Sequence, residues 1–184
     1  MNKKRFIVLS GFILIAALSR IIPHPYNFAP MGAMSIFGAA YFTDKKFSFL
    51  LPLLAFFVSD LLVNNLLFAN FYGGFILFTP GFYWMYGSIA LIVFAGIFIL
   101  KKVNFKTVIA GSLSASMIFF LVTNFGSWIG NPMYPMGLEG LLMSYTAGIP
   151  FFHYTVIGDL FYSGVMFGAF EYAKQKKPAL QVIK

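Results

Sequence analysis

The chain has 184 residues, 60% of them hydrophobic and only 10% charged, with a mean hydropathy of +0.83. Soluble domains are about 45–50% apolar and about 25% charged, so the composition excludes an ordinary soluble domain and points to an integral membrane protein. The net charge of +8 sits in short clusters between apolar runs, which argues for membrane orientation and against a nucleic-acid partner. The absence of cysteine excludes disulfides, thiolate metal sites and cysteine nucleophiles.

The first apolar run, Phe6 to Ile22, follows a basic start. No small-x-small cleavage site precedes the polar loop, so the run is expected to be a first span and not a removed leader. The next stretch, Arg20 to Gly32, reads RIIPHPYNFAPMG. Pro23, Pro25 and Pro30 lack a backbone N–H and bias the residues before them away from helix, which predicts an irregular, partly extended segment at the membrane surface. A short, small-residue-rich second span is expected over Met31–Phe42. The third follows over Phe47–Leu67, the fourth over Phe82–Leu100, the fifth over Thr107–Ile129 and the sixth over Thr155–Tyr172. Leu138 to Phe152 is apolar but short, carries Glu139, and contains Gly148 and Pro150. It is expected to form an additional outer-face helix between spans five and six, lying on or dipping into the membrane. The fold class expected is therefore an all-α membrane protein, one transmembrane domain over residues 1–184 with six transmembrane helices.

Basic residues orient these spans. Lys3, Lys4 and Arg5 precede span one, and Lys45 and Lys46 join spans two and three. Lys101, Lys102 and Lys106 join spans four and five, and Lys174, Lys176, Lys177 and Lys184 follow span six. Of the 13 basic residues only Arg20 falls on the other side. The positive-inside rule places both termini in the cytoplasm and the chain in the inner (plasma) membrane.

Ionisable residues inside spans are rare because burying them is costly, so each is a candidate functional group. Asp60 and Asn64 share a face near the outer end of span three, and Asn124 and Trp128 do so in span five. Asp159 lies in the outer half of span six, and Arg20 closes span one at the same depth. With His24, Tyr26 and Asn27 from the proline-bearing loop, these residues are the expected substrate-binding set of an outward-open pocket. Two bland readings stand beside it. Arg20 with Asp60 or Asp159 is equally an ion pair that fixes helix packing, and Tyr83, Trp84, Tyr86 and Trp128 are equally interfacial belt anchors. His24 and His153 lack a spaced ligand motif, so no metal is expected. Gly164 with Gly168, and Gly111 with Ala115, read as close helix-packing pairs. No nucleophile, zinc or phosphate-loop motif occurs, so neither an enzyme nor a cofactor is expected.

The motif RxxPHPYNFAPMGAMSIFGAAYF (Arg20 to Phe42) is similar to an uncharacterised bacterial membrane family grouped near the substrate-binding (S) subunits of energy-coupling factor (ECF) transporters. TNFGSWIGNPMYP (Thr123 to Pro135) and AGIPFFHYTVIGDLFYSGVMFG (Ala147 to Gly168) resemble that family too. The resemblance implies an S-subunit-like bundle that binds a vitamin-like molecule in its outer half, energised by a separate transmembrane coupling subunit with ATPases. S subunits dock that module through an alanine-x-x-x-alanine surface on the first helix. Here neither Ala16 nor Ala17 has a small residue four positions away, and Ser35 with Ala39 in span two is the nearest such pair. Nickel and cobalt S subunits carry histidine after the initiator methionine, where this chain has Asn2.

The function expected is membrane binding and transport of a small organic solute. The partners expected are that solute, the lipid bilayer and the coupling subunit, with no nucleic acid. The alternative is a ligand-free structural scaffold resembling six-span cell-shape proteins. Reporter fusions test the topology: those after Lys46, Lys102 and Lys177 are expected to read cytoplasm, and those near Asn70 or Pro135 the outside. A periplasmic signal after Lys177 would mean that Leu138 to Phe152 crosses the membrane and that the six-span reading is wrong.

Overall fold

The computed structural model describes residues 1–181; Lys184, counted above among the basic residues of the tail, lies outside them. The described residues form helices joined by irregular connections, with no strand among them. Helix α1 covers Lys3–Leu18, α2 Met31–Tyr41, α3 Lys45–Leu62, α4 Ala69–Tyr72, α5 Phe82–Ile99, α6 Phe105–Gly130 and α7 Leu138–Lys176. A π-helical turn, Val63–Leu67, continues α3, and single 3₁₀ turns follow α1 and α7. Three helical stretches are long and apolar enough to cross a membrane: Lys45–Leu67, Phe82–Ile99 and Phe105–Gly130.

Helix α2 is the centre of the bundle. It packs against α1, α3, α5, α6 and α7, and nine of its eleven residues are buried. Eleven residues rise only about 16 Å, roughly half the thickness of a hydrocarbon core, so α2 is a core helix and not a full span. Lipid tails are as apolar as side chains, so burial alone does little to hold such a helix, and close van der Waals contact must do it. Small residues make that contact possible. A Cβ at Gly96 of α5 would lie 2.9 Å from the Cβ of Ala39, and one at Gly38 would lie 3.1 Å from Pro52 Cγ on α3. A Cβ at Gly111 would lie 3.4 Å from Ile36 Cδ1, a looser contact, and Ala115 is buried beside it. Gly164 and Gly168 differ from the packing pair expected, because a Cβ at either position would meet nothing within 4 Å.

The expected break between an outer-face helix and span six does not occur. Residues 138–176 form one continuous helix, antiparallel to α6. Ser163 bonds Ser112, Asp159 bonds Ser116, and the Ser144 hydroxyl donates to the Asn124 carbonyl. Pro150 removes one N–H but its neighbours continue the helix, held by packing on α6. Gly148 is a contact site and not a breaker: a Cβ there would stand 2.4 Å from Asn124 Oδ1.

The two ends of the chain meet at one end of the bundle. Asn2 donates to the Ala179 carbonyl at 2.8 Å, and Arg5 donates to the Leu180 carbonyl and, at 3.2 Å, to that of Tyr41. Arg5 is therefore a buried clamp as well as one of the orienting charges. Nearby, Tyr41 and Lys174 both donate to Glu171, at 2.6 and 2.7 Å. The helices that start among basic residues carry side-chain caps: Asn2 on α1, Asp44 on α3 and Asn104 on α6. Such caps satisfy N–H groups left free in a first turn. Helices α2, α5 and α7, which start from the opposite end, have none of their own.

Candidate functional site

Three separate polar sites emerge where the sequence suggested one cluster. The first joins α1 to α3. Arg20, in the 3₁₀ turn after α1, donates to Ser59 Oγ at 2.7 Å and to Asp60 Oδ1 at 3.0 Å, and its guanidinium lies 4.6 Å from the centre of the Phe56 ring. Asn64 donates to the other carboxylate oxygen at 3.1 Å. Asn64 belongs to the π-helical turn, a local widening that alters which side chains share a face. Burial, and then the charge of Asp60, push the Tyr72 phenol above its ordinary range. Tyr86 lies close enough to interact with both charges, yet its buried hydroxyl has no partner among the described residues. Arg20 thus pairs with Asp60 and not with Asp159.

The second site joins α2, α6 and α7. Asp159 is 2% exposed and accepts from Ser116 Oγ at 2.7 Å and from the Ala33 N–H at 3.2 Å, with the Gly32 N–H contributing. Pro30, at the N-cap of α2, offers no side-chain cap, so a carboxylate from another helix performs that task. A Cβ at Gly32 would fall 2.4 Å from Asp159 Oδ1, which explains the glycine. Gly158, beside Asp159 in sequence, leaves room for the backbone of Phe28 and Ala29, which would lie about 3.2 Å from a Cβ placed there. The proline-bearing segment therefore differs from a surface loop in its second half. Phe28 packs between Phe161 and Tyr162 while the chain descends into the bundle.

The third site is a cavity of about 920 Å³ between α5, α6 and α7, lined also by Asn27 from the segment before α2 and by the connections that precede α5 and follow α6. Its walls include Trp84, Phe120 and Phe151, with Asn27, Thr123, Asn124 and Thr155 supplying polar groups. Asn27 reaches it from a left-handed conformation, φ 65°, which asparagine tolerates better than most residues. Asn124 gives one amide hydrogen to the Phe120 carbonyl at 2.8 Å. Trp84 is held by a slot at Gly126, where a Cβ would lie 2.3 Å from its Cγ.

Of the residues expected to bind substrate, Asn27 and Asn124 line this cavity. Tyr26 is exposed and packs edge-on near Phe151, and His24 bonds the Ile22 carbonyl at 2.6 Å. Trp128 donates to the Pro135 carbonyl at 3.2 Å. Arg20, Asp60, Asn64 and Asp159 lie in the first two sites, outside the cavity lining. The sequence reading missed Thr123, Phe120 and the Trp84–Gly126 fit. Phe120 was findable, because it stands four residues before Asn124 on one face of α6; Thr123, next to Asn124 in sequence, and the slot were not, because both depend on contact between helices. Asn65, also unremarked, pins the connection between the π-helical turn and α5 by exchanging bonds with Ile76 at 2.8 Å each way.

The first site makes a testable prediction about coupling. Arg20→Met alone strands a buried carboxylate, so it is expected to destabilise the detergent-solubilised protein by roughly 3 kcal/mol. Arg20→Met combined with Asp60→Asn removes both charges and is expected to cost clearly less than the two single changes summed. Thermal denaturation of the three variants measures this, and additive losses would show that the pair is energetically uncoupled.

No curated protein and no solved structure matches this chain. A family model described as "Family of unknown function (DUF6580)" matches residues 1–180, and the chain belongs to that family.

Proposed function

We propose that this protein binds a small organic solute in the cavity between α5, α6 and α7 and serves its uptake across the inner membrane. The observation that carries the reading is the cavity itself. Its volume, about 920 Å³, lies within the roughly 300–1,000 Å³ typical of ligand sites, and such sites combine apolar walls with a few placed polar groups.

In this reading six elements cross or enter the membrane in alternation: α1, α2 with the descending segment before it, α3, α5, α6 and α7. Both termini face the cytoplasm, as the charge distribution and the meeting of the chain ends at the basic side support. The protein acts as a binding and transport component and not as an enzyme. The likeness of Arg20–Phe42 to the neighbourhood of ECF S subunits supports energising by a separate coupling subunit with ATPases. Asn27 and Asn124 contact the solute, and the Arg20–Asp60–Asn64 site holds α1 and α3 in the frame around it.

Mass spectrometry of small molecules retained through purification in mild detergent tests the reading. Asn124→Leu and Thr123→Val are expected to leave folding intact and to lower retention about tenfold, the scale of one lost polar contact. Retention indifferent to both substitutions would place the ligand elsewhere. An empty protein, together with a cell-shape defect on deletion of the gene, would favour the scaffold.

A further inference from the structure

We infer that the cavity takes a hydroxyl-rich solute, a polyol or a sugar-bearing molecule, whose hydroxyl groups are read by a polar stripe along α6. The inference rests on the solute-binding reading above and names the class of solute.

The stripe comes from the helical repeat. Phe120, Asn124, Ser127 and Asn131 follow one another at intervals of four, three and four residues, which places them on one side of α6 and its C-cap. All four line the cavity. From Asn124 to Asn131 the helix rises about 10 Å, so the polar groups are spread along a wall and not gathered at a point. A solute with one polar group engages one of them, whereas hydroxyls distributed around a ring or along a chain engage several.

Each polar side chain of the stripe keeps hydrogen-bonding capacity that the protein leaves unused. Asn124 gives an amide hydrogen to the Phe120 carbonyl, while its Oδ1 accepts from no group among the described residues and, in contrast to the indole nitrogen of Trp84, is not sealed from solvent. Asn131 accepts from the Met133 N–H through Oδ1 at 3.0 Å, which leaves its amide hydrogens to donate. Ser127 is exposed, and Asn27, also exposed, adds an amide from the segment before α2. The wall thus offers acceptors and donors side by side. A hydroxyl both donates and accepts, so hydroxyls meet every one of these positions, whereas an ether or ketone meets only the donors. The rings of Phe120 and Phe151 supply apolar surface for the C–H faces of the same molecule. Because the cavity is open to solvent, a charged substituent can stay hydrated at its mouth, and recognition falls to the hydroxyls.

The full chain, in a detergent that carries no hydroxyl groups, is melted with the small-molecule extract of the producing cells, either intact or oxidised with periodate. Periodate cleaves carbon–carbon bonds between neighbouring hydroxyls. The intact arm receives periodate already consumed by ethylene glycol, so both arms carry the same by-products. A molecule that binds the folded state raises the melting temperature. The intact extract is expected to do so, and oxidation to abolish the rise. Ser127→Ala removes the hydroxyl, and Asn27→Gly removes the amide while suiting the left-handed backbone there, φ 65°. Each variant is expected to melt as the parent does without extract, and to need about tenfold more extract for the same rise, the scale of one lost polar contact. A rise that survives oxidation would overturn the class while leaving the cavity as a binding site. Equal rises in the parent and in both variants would overturn recognition by these side chains. No rise from either extract, with no compound retained through purification, would overturn the solute-binding reading itself, and this inference with it.

Discussion

A helix that begins inside an apolar bundle leaves its first N–H groups without water to accept them, and each such group is costly unless another acceptor arrives. The rest of this structure depends on how that problem is met for α2. Asp159, carried near the middle of α7, accepts from the first turn of α2 while Ser116 on α6 holds the same carboxylate from the side. The positive end of the α2 dipole favours an acceptor oxygen at that point. Gly32 and Gly158 are the steric conditions for the arrangement, one admitting the carboxylate and the other the incoming backbone. One interaction thereby sets the height of the central helix and ties three helices together.

The cavity is lined by α5, α6 and α7, by the connections before α5 and between α6 and α7, and by Asn27 from the segment that precedes α2. Thr155 borders the cavity one turn before Asp159 on α7, so the polar floor of the cavity and the anchor of α2 are neighbours on one helix face. Below them Ser112 and Ser163 exchange a hydrogen bond at 2.8 Å. The α6–α7 seam is therefore polar for much of its length, while the opposite faces of both helices carry exposed apolar side chains such as Leu113, Met117, Ile157 and Phe161. Arg20 with Asp60 performs a separate task, fixing the end of α1 against α3 with both charges paired.

Much of this was legible in the residues. The helical runs over α3, α5 and α6 differ from the expected spans by only a few residues, because long apolar segments bounded by lysines leave few choices. Arg20 was expected to find an aspartate, and it finds Asp60, since an unpaired charge at that depth is strongly disfavoured. What the sequence concealed depends on distance between helices. Gly148 and Pro150 read locally as a break, yet α7 continues through them because contact with α6 outweighs one missing hydrogen bond. Asp159 reads as a candidate ligand for a solute, but the backbone it meets lies 126 residues earlier in the chain. Arg5 reads as one more solvated cation, and only the fold shows the carbonyls that bury it.

The account stands on the contact between Asp159 and the first turn of α2, and hydrogen exchange resolved at the Gly32 and Ala33 amides measures it most directly. In the intact protein these amides are expected to be protected, and in Asp159→Ala to exchange at least about tenfold faster, with Asp159→Asn between the two. The amides of α5 are expected to change little, since they make their own helical bonds. Equal protection of Gly32 and Ala33 in the intact protein and in a folded Asp159→Ala variant would contradict the account, because α2 would then hold its start without the carboxylate.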